Sequence, residues 1–151
     1  MDWSTAFKLQ AHEDLNAAQK LADSKTSYST LCMLLQMVFE KTTKAILVKQ
    51  GFHSKSHVIA SRLLDILGRT GKASRLPLPS PRVQSFILEL EGAHPSVSRD
   101  IYPQLEYPWE EQSVIRTPSL HLPLVLRVQN PRDRILPECM RYARALLGAV
   151  E

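Results

Sequence analysis

The stretch 27–51, SYSTLCMLLQMVFEKTTKAILVKQG, constrains the fold more than any other part of the chain. It contains no Pro or Gly until it meets Gly51, a residue suited to the left-handed position that ends a helix. Leu31, Leu34, Leu35, Val38, Phe39, Thr42, Ala45 and Ile46 recur at i, i+3, i+4, i+7, the one-sided stripe of an amphipathic helix. At ~1.5 Å per residue such a helix spans roughly 36 Å, the height of a small helical domain. A chain of 151 residues needs neither disulfide nor metal to hold one core, because at this size about 70% of the unfolded surface is buried. The reading is a single domain, 1–151, with this helix at its centre.

The flanking stretches supply its neighbours. Trp3, Phe7, Ala11, Leu15, Ala18 and Ala22 predict a helix over 3–23 with Asp2 or Ser4 as its N-cap. The short polar link 24–27 makes the two helices antiparallel, an αα-hairpin. A third helix is expected over 57–67, capped by Ser54 or Ser56, facing Ile59, Leu63, Ile66 and Leu67 inward and stopped by Gly68 and Gly71. Ser80 and Pro81 form an N-cap and N1 pair for a fourth, with Val83, Phe86, Ile87 and Leu90 inward and Gly92 at its end. A last helix lies within 130–150, starting at 130 or only at Pro137, and turns Leu136, Met140, Ala143, Leu146, Leu147 and Val150 to the core.

Between 93 and 130 the helical pattern stops. Pro95, Pro103, Pro108, Pro118 and Pro123 exclude a long helix. Leu120, Leu122, Leu124, Leu126 and Val128 alternate with period two, so 120–128 is expected to pair with 112–116 in a small β-hairpin, on an edge because of Pro123. Tyr102, Tyr107 and Trp109 are read as anchors of this arm on the bundle. The fold class is therefore all-α: an up-and-down bundle of four to five helices with a long Pro-rich irregular segment.

Charge and composition narrow the chemistry. No apolar run reaches the ~20 residues of a membrane span, and the first residues, MDWSTAFKLQ, lack the apolar core of a signal peptide, so a cytoplasmic protein is expected. Cys32 and Cys139 fall within apolar helices and read as buried free thiols; the five histidines show no ligand spacing, so neither a metal nor another cofactor is expected. Net charge is +4, and every basic residue after Lys72 is Arg. From 112 to 150 six Arg face only Asp133 and Glu138, a pattern that suits an anionic partner or a solvated basic face. Gly-rich phosphate loops, serine-nucleophile elbows and metal motifs are absent.

Several of these residues resemble one family. AHEDLNAAQKLA in the first helix is followed by Tyr28 and by LLQMVFEKTTKAILVKQG, whose Glu40, Lys41, Lys44 and Ala45 match an E-K-x-x-K-A core. A third helix beginning near His57 and the closing ECMRYARALLGAV complete the likeness. The chain resembles the HEPN family over about 5–70 and again over 134–150. The resemblance implies an all-α bundle that dimerises and an RNA or nucleotide-containing ligand. It also implies a nucleotidyltransferase-type protein partner in some members, and metal-independent RNA cleavage by an Arg and a His in others. Arg116-Thr117-Pro118-Ser119-Leu120-His121 is a formal match to that Arg-spacer-His pattern, with His as general acid/base and Arg on the phosphorane charge. It departs from the pattern by placing Thr117 and Pro118 after the Arg. Arg99 with Tyr102 and Pro103 resembles the Arg-Tyr-Pro signature of non-nuclease members, with two residues inserted.

Three functions remain open at this stage. The first is a homodimeric binding module for RNA or a nucleotide-containing ligand, with Lys41, Lys44, Arg99, Tyr102, Arg134, Arg141 and Arg144 as contacts. The second is a ribonuclease, the toxin of a toxin–antitoxin pair, using Arg116 and His121. The third is an interaction module for an acidic protein.

Overall fold

The computed structural model describes residues 1–94 and 103–150. Arg99 and Tyr102 lie outside the described residues. Helix α1 (Trp3–Ser24) and helix α2 (Tyr28–Lys49) form the expected antiparallel hairpin. Asp2 is the N-cap of α1: its carboxylate accepts the Thr5 N–H at 2.8 Å, and this bond holds its pKa below the usual value. Ser4 has another task. It is buried and its Oγ donates to the Ala45 carbonyl at 2.9 Å, fastening the start of α1 to the last turns of α2. Ala11 and Ala18 are fully buried, and small side chains there allow close approach of the two helices.

Both helices end in left-handed turns. At Lys25 (φ 55) and Gly51 (φ 83) the chain reverses, and in each case the next N–H bonds back five residues, from Thr26 to Leu21 and from Phe52 to Leu47. This is the Schellman arrangement, which satisfies the orphan carbonyls of a helix end. Gly51 therefore plays the part its position suggests.

Helix α3 (Leu63–Arg69) starts later than the expected 57–67, preceded by a 3₁₀ turn at Ala60–Arg62. The reason lies in other elements. Gln36 donates to the His57 carbonyl at 3.0 Å, and the Glu91 carboxylate accepts the Ala60 and Ser61 N–H groups at 2.7 and 3.3 Å. Ser56 accepts the Val58 N–H instead of capping a helix. Gly71 (φ 69), not Gly68, makes the left-handed turn after α3. Helix α4 (Pro81–Ala93) begins as expected, with the Ser80 hydroxyl accepting the Val83 N–H at 3.3 Å; Gly92 lies inside it.

The segment before the last helix differs most from expectation. The hairpin pairs strand β1 (Trp109–Glu111) with strand β2 (Val114–Arg116) around Gln112 and Ser113, both at positive φ (51 and 62). A two-residue turn of that handedness matches the twist of paired strands. Residues 120–128 do not pair with it. They form helix α5 (Pro118–His121) and helix α6 (Pro123–Gln129), and each proline stands at the first helical turn, where a missing N–H removes no bond. Burial follows the helix: Leu122, Leu124, Val125 and Val128 are inside, while Leu120 and Leu126 are 69% and 43% exposed. The period-two pattern counts Leu120 and Leu126 together with the buried residues, although both face solvent.

Helix α7 (Ile135–Gly148) starts when the Asp133 carboxylate accepts the Ile135 N–H at 2.9 Å, with Pro137 in its first turn. Helix α2 touches α1, α4, α5, α6 and α7, and Leu31, Leu35, Phe39, Phe86, Leu90, Ile135 and Leu147 form the core around it. Phe39 and Tyr142 bring their rings to 5.9 Å between α2 and α7. Before the hairpin, the chain is fixed to the end of α4 by Leu105, whose N–H meets the Ala93 carbonyl, and by His94 Nε2 at 2.5 Å from Glu106. Among the described residues the fold is a mostly helical bundle, as the sequence predicts, with a small antiparallel hairpin whose strands are 109–111 and 114–116 rather than the expected 112–116 and 120–128.

Candidate functional site

Glu40 and Asp14 are buried carboxylates on the facing sides of the α1–α2 hairpin. Glu40 receives Lys44 Nζ at 2.7 Å, His57 Nδ1 at 3.0 Å and Gln36 Nε2 at 3.3 Å. Asp14 receives Lys41 Nζ at 2.6 Å and Gln10 Nε2 at 3.4 Å. The Lys44 ammonium also stands 5.9 Å from the Phe7 ring centroid. Both lysines of the E-K-x-x-K-A core are therefore taken up within the hairpin, one within α2 and one across to α1. Their ammonium groups are neutralised and nearly closed to solvent, so this polar layer holds two helices and the loop at His57 in register.

Arg116 ends β2 and His121 ends α5, five residues apart in chain and each occupied locally. Arg116 Nε lies 2.6 Å from Glu111 Oε2 on the other strand of the hairpin. His121 Nδ1 lies 3.0 Å from the Thr117 backbone nitrogen and 3.3 Å from the Thr117 carbonyl oxygen, so the ring is held against the start of its own helix. No hydrogen bond joins Arg116 to His121 among the described residues. Burial pushes the Cys139 thiol up to about 12 and the Cys32 thiol further, so neither is a thiolate near neutral pH. Tyr142 is likewise pushed up to about 12 by burial.

The arginines of the second half divide into two sets. Arg82 pairs with Asp133 and Glu138, and Arg127 pairs with Glu89 at 2.8 Å and lies 5.5 Å from the Phe86 ring. These two, with Arg116, serve as ties between elements. Arg132, Arg134, Arg141 and Arg144 are exposed and have no carboxylate partner among the described residues. Arg141 and Arg144 share one side of α7, and Arg134 stands at its N-cap, about ten residues or roughly 15 Å along the helix from Arg144. Arg144 also donates to Gln19 of α1, so this face adjoins α1. At its other end, Arg134 borders a cleft of about 410 Å³ together with Lys25, Tyr28, Val128 and Leu136. Asp133, the acid of that cleft, is engaged by Arg82 and Arg127. An unneutralised row of guanidinium groups beside an aromatic-lined cleft can take a chain of phosphates and one flat ring.

The HEPN domain model matches residues 5–151. The chain belongs to the HEPN family. The match covers the hairpin, α5 and α6 as well as the helices that carry the E-K-x-x-K-A core, so the resemblance read from both ends of the chain extends through its middle. Membership ties this HEPN protein to nucleotide- or RNA-related function. No curated protein and no solved structure matches the chain. No described helix is long and apolar enough to cross a membrane, and no group of acidic, His or Cys side chains among the described residues could hold a metal.

Sequence reasoning named Arg134, Arg141 and Arg144 but missed Lys25 and Tyr28, which the α1–α2 turn places in the same cleft. The only local signal for Lys25 is its place after a helix that lacks a closing glycine.

Proposed function

We propose that this HEPN protein is an RNA-binding module that does not cut its ligand and that works as a homodimer. The observation that carries the reading is the division of the arginines: the α7 row keeps its charge open, whereas Arg82, Arg116 and Arg127 are matched to acids. Charges left unpaired along one helix face suit a backbone of phosphates, and Tyr28 offers a ring for a base at one end. Arg116 and His121 are given no catalytic part, because the guanidinium is beside Glu111 and the imidazole is turned onto its own helix start.

Labelled single-stranded RNA incubated with the full chain in chelator tests this directly. The expected result is a retarded complex from which full-length RNA is recovered. Cleavage that disappears in both Arg116→Ala and His121→Ala would replace the binding module with the nuclease. For the dimer, the support is an apolar strip on the hairpin and α5, where Val114, Ile115 and Leu120 are 51%, 65% and 69% exposed. Sedimentation is expected to give twice the 17.1 kDa chain mass, reduced to one chain by Ile115→Asp. A wild-type monomer at micromolar concentration removes the dimer.

A further inference from the structure

His57 differs from the other histidines in having a buried carboxylate at one ring nitrogen and an open edge at the other. Its Nδ1 lies 3.0 Å from Glu40 Oε2, while its side chain is 49% exposed. Glu40 is ion-paired with Lys44 at 2.7 Å, so its oxygens accept and the His57 Nδ1–H donates. In the neutral ring the lone pair then stands on Nε2, which makes no hydrogen bond among the described residues. The backbone is fixed as well, because Gln36 Nε2 donates to the His57 carbonyl at 3.0 Å. His12 and His53 are exposed with no carboxylate at hydrogen-bonding distance among the described residues. His94 meets Glu106 through Nε2, and His121 Nδ1 lies against its own helix start.

A simpler role for this contact is to pin the loop 52–58 to the hairpin. The Gln36 bond to the His57 backbone already does so and needs no imidazole. Two features go beyond a pin. A buried, ion-paired carboxylate behind an imidazole orients the ring and matches the positive charge it acquires when Nε2 forms a bond. The ring also stands away from the Arg134 cleft and from the cleft lined by Ile46, Leu67 and Val150. It sits on an open loop where His53, Lys55 and Ser56 are exposed, and Lys55 has no carboxylate partner among the described residues. General acid–base work on a small substrate needs a cleft that holds the substrate against the ring. A nucleophile on an open loop instead receives a group that a donor brings to it.

We infer that His57 is a phosphoryl acceptor, modified at Nε2 by a donor of the phosphoramidate or acyl phosphate class, with Glu40 as its positioning residue. The Nε2 lone pair attacks phosphorus, and the P–N or P–O bond of the donor breaks. The departing nitrogen or carboxylate oxygen takes that electron pair. The ring keeps its Nδ1 proton and becomes a phosphoryl-imidazolium whose charge faces Glu40. Lys55, two residues away on the same loop, supplies a cation for the phosphate oxygens. The site is independent of the RNA reading, since none of the α7 arginines takes part.

Incubating the full chain with phosphoramidate, and separately with acetyl phosphate, tests it by peptide mass spectrometry and phosphorus NMR. The expected product is acid-labile phosphate on Nε2 of His57, gained at least tenfold faster than on His12 or His53 of the same sample. Assayed well below its thermal midpoint, Glu40→Gln is expected to remove that advantage and to leave the rates at His12 and His53 unchanged. The phosphate that His57 still gains in this variant should be divided between its two ring nitrogens, because Nδ1 is no longer covered. Gln36→Leu, which frees the backbone but keeps the Glu40 contact, is expected to retain the preference. Reaction with acetyl phosphate would support a small acyl phosphate as the source. Reaction with phosphoramidate alone would support a phosphohistidine carried by a partner protein. Equal rates at His57, His12 and His53 would overturn the inference. So would phosphate on Nδ1 of His57, or a Glu40→Gln variant that keeps both the rate advantage and the Nε2 selectivity. RNA binding that persists while His57 stays unmodified removes this site alone.

Discussion

Glu40→Ala is expected to lower the thermal midpoint by roughly 10 °C or more, the largest stability loss of any single polar substitution in the chain. The carboxylate is 5% exposed and receives three side chains, of which Lys44 is itself 8% exposed. Removing it strands a buried ammonium and frees the loop at His57. Breaking one side of such a pair costs about 3–5 kcal/mol, and a domain of this size shifts by roughly 2–4 °C per kcal/mol. The pair itself is not the source of stability, since two charges taken from water regain little more than their desolvation. Glu40→Ala combined with Lys44→Met is therefore expected to recover most of the loss. His57→Ala should cost far less, about 1 kcal/mol, because that ring is half exposed and Lys44 keeps the carboxylate matched. Thermal denaturation of the three variants decides it. A Glu40→Ala loss under 1 kcal/mol, or a double variant no better than the single, would show that the layer does not hold the hairpin.

Changing Arg134, Arg141 and Arg144 together to alanine is expected to reduce affinity for single-stranded RNA by about 100-fold at low salt. A charge-assisted phosphate contact contributes at least about 1 kcal/mol net, and three of them amount to two decades in Kd. Stability should hardly change, since all three side chains are exposed and, among the described residues, Arg144 alone of the three has a side-chain hydrogen bond, to Gln19. Lys25→Ala and Tyr28→Ala should each remove a smaller part, the second only if a base stacks in the cleft. The same triple made in the tying set, at Arg82, Arg116 and Arg127, should instead lower stability and leave affinity within a few fold. Fluorescence anisotropy with a labelled oligomer checks both. Equal losses from the two triples would mean that net charge alone attracts the RNA, and the division of the arginines would carry no function.

The bundle was legible where the information is local. The 3–4 spacing of Leu31 to Ile46, the Asp2 and Ser80 caps and the Gly51 stop each depend on neighbours within a turn or two. The start of α3 was not, because it is decided by Gln36, Glu40 and Glu91, which lie 17 to 31 residues away in the chain. The stretch 118–129 misled for a different reason: proline was weighed as a breaker, whereas at N1 it opens a helix. At the site, residue type identified the arginines but their partners lie far off, 38 residues for Arg127 with Glu89 and 51 for Arg82 with Asp133. Lys41 and Lys44 looked like an open face for the same reason. The i, i+4 spacing announces the Glu40 partner, while only the folded hairpin supplies Asp14 and the burial that closes both.

The salt dependence of RNA affinity, measured for the wild-type chain and for the Arg134, Arg141 and Arg144 triple, bears most directly on the account. Each phosphate met on a single strand contributes about 0.7 to the slope of log affinity against log salt. With Lys25 and the three arginines engaged, the wild-type slope is expected near −3 and that of the triple nearer −1. A wild-type chain that binds no RNA even at low salt, or a slope that the triple leaves unchanged, would contradict the assignment of RNA to this face.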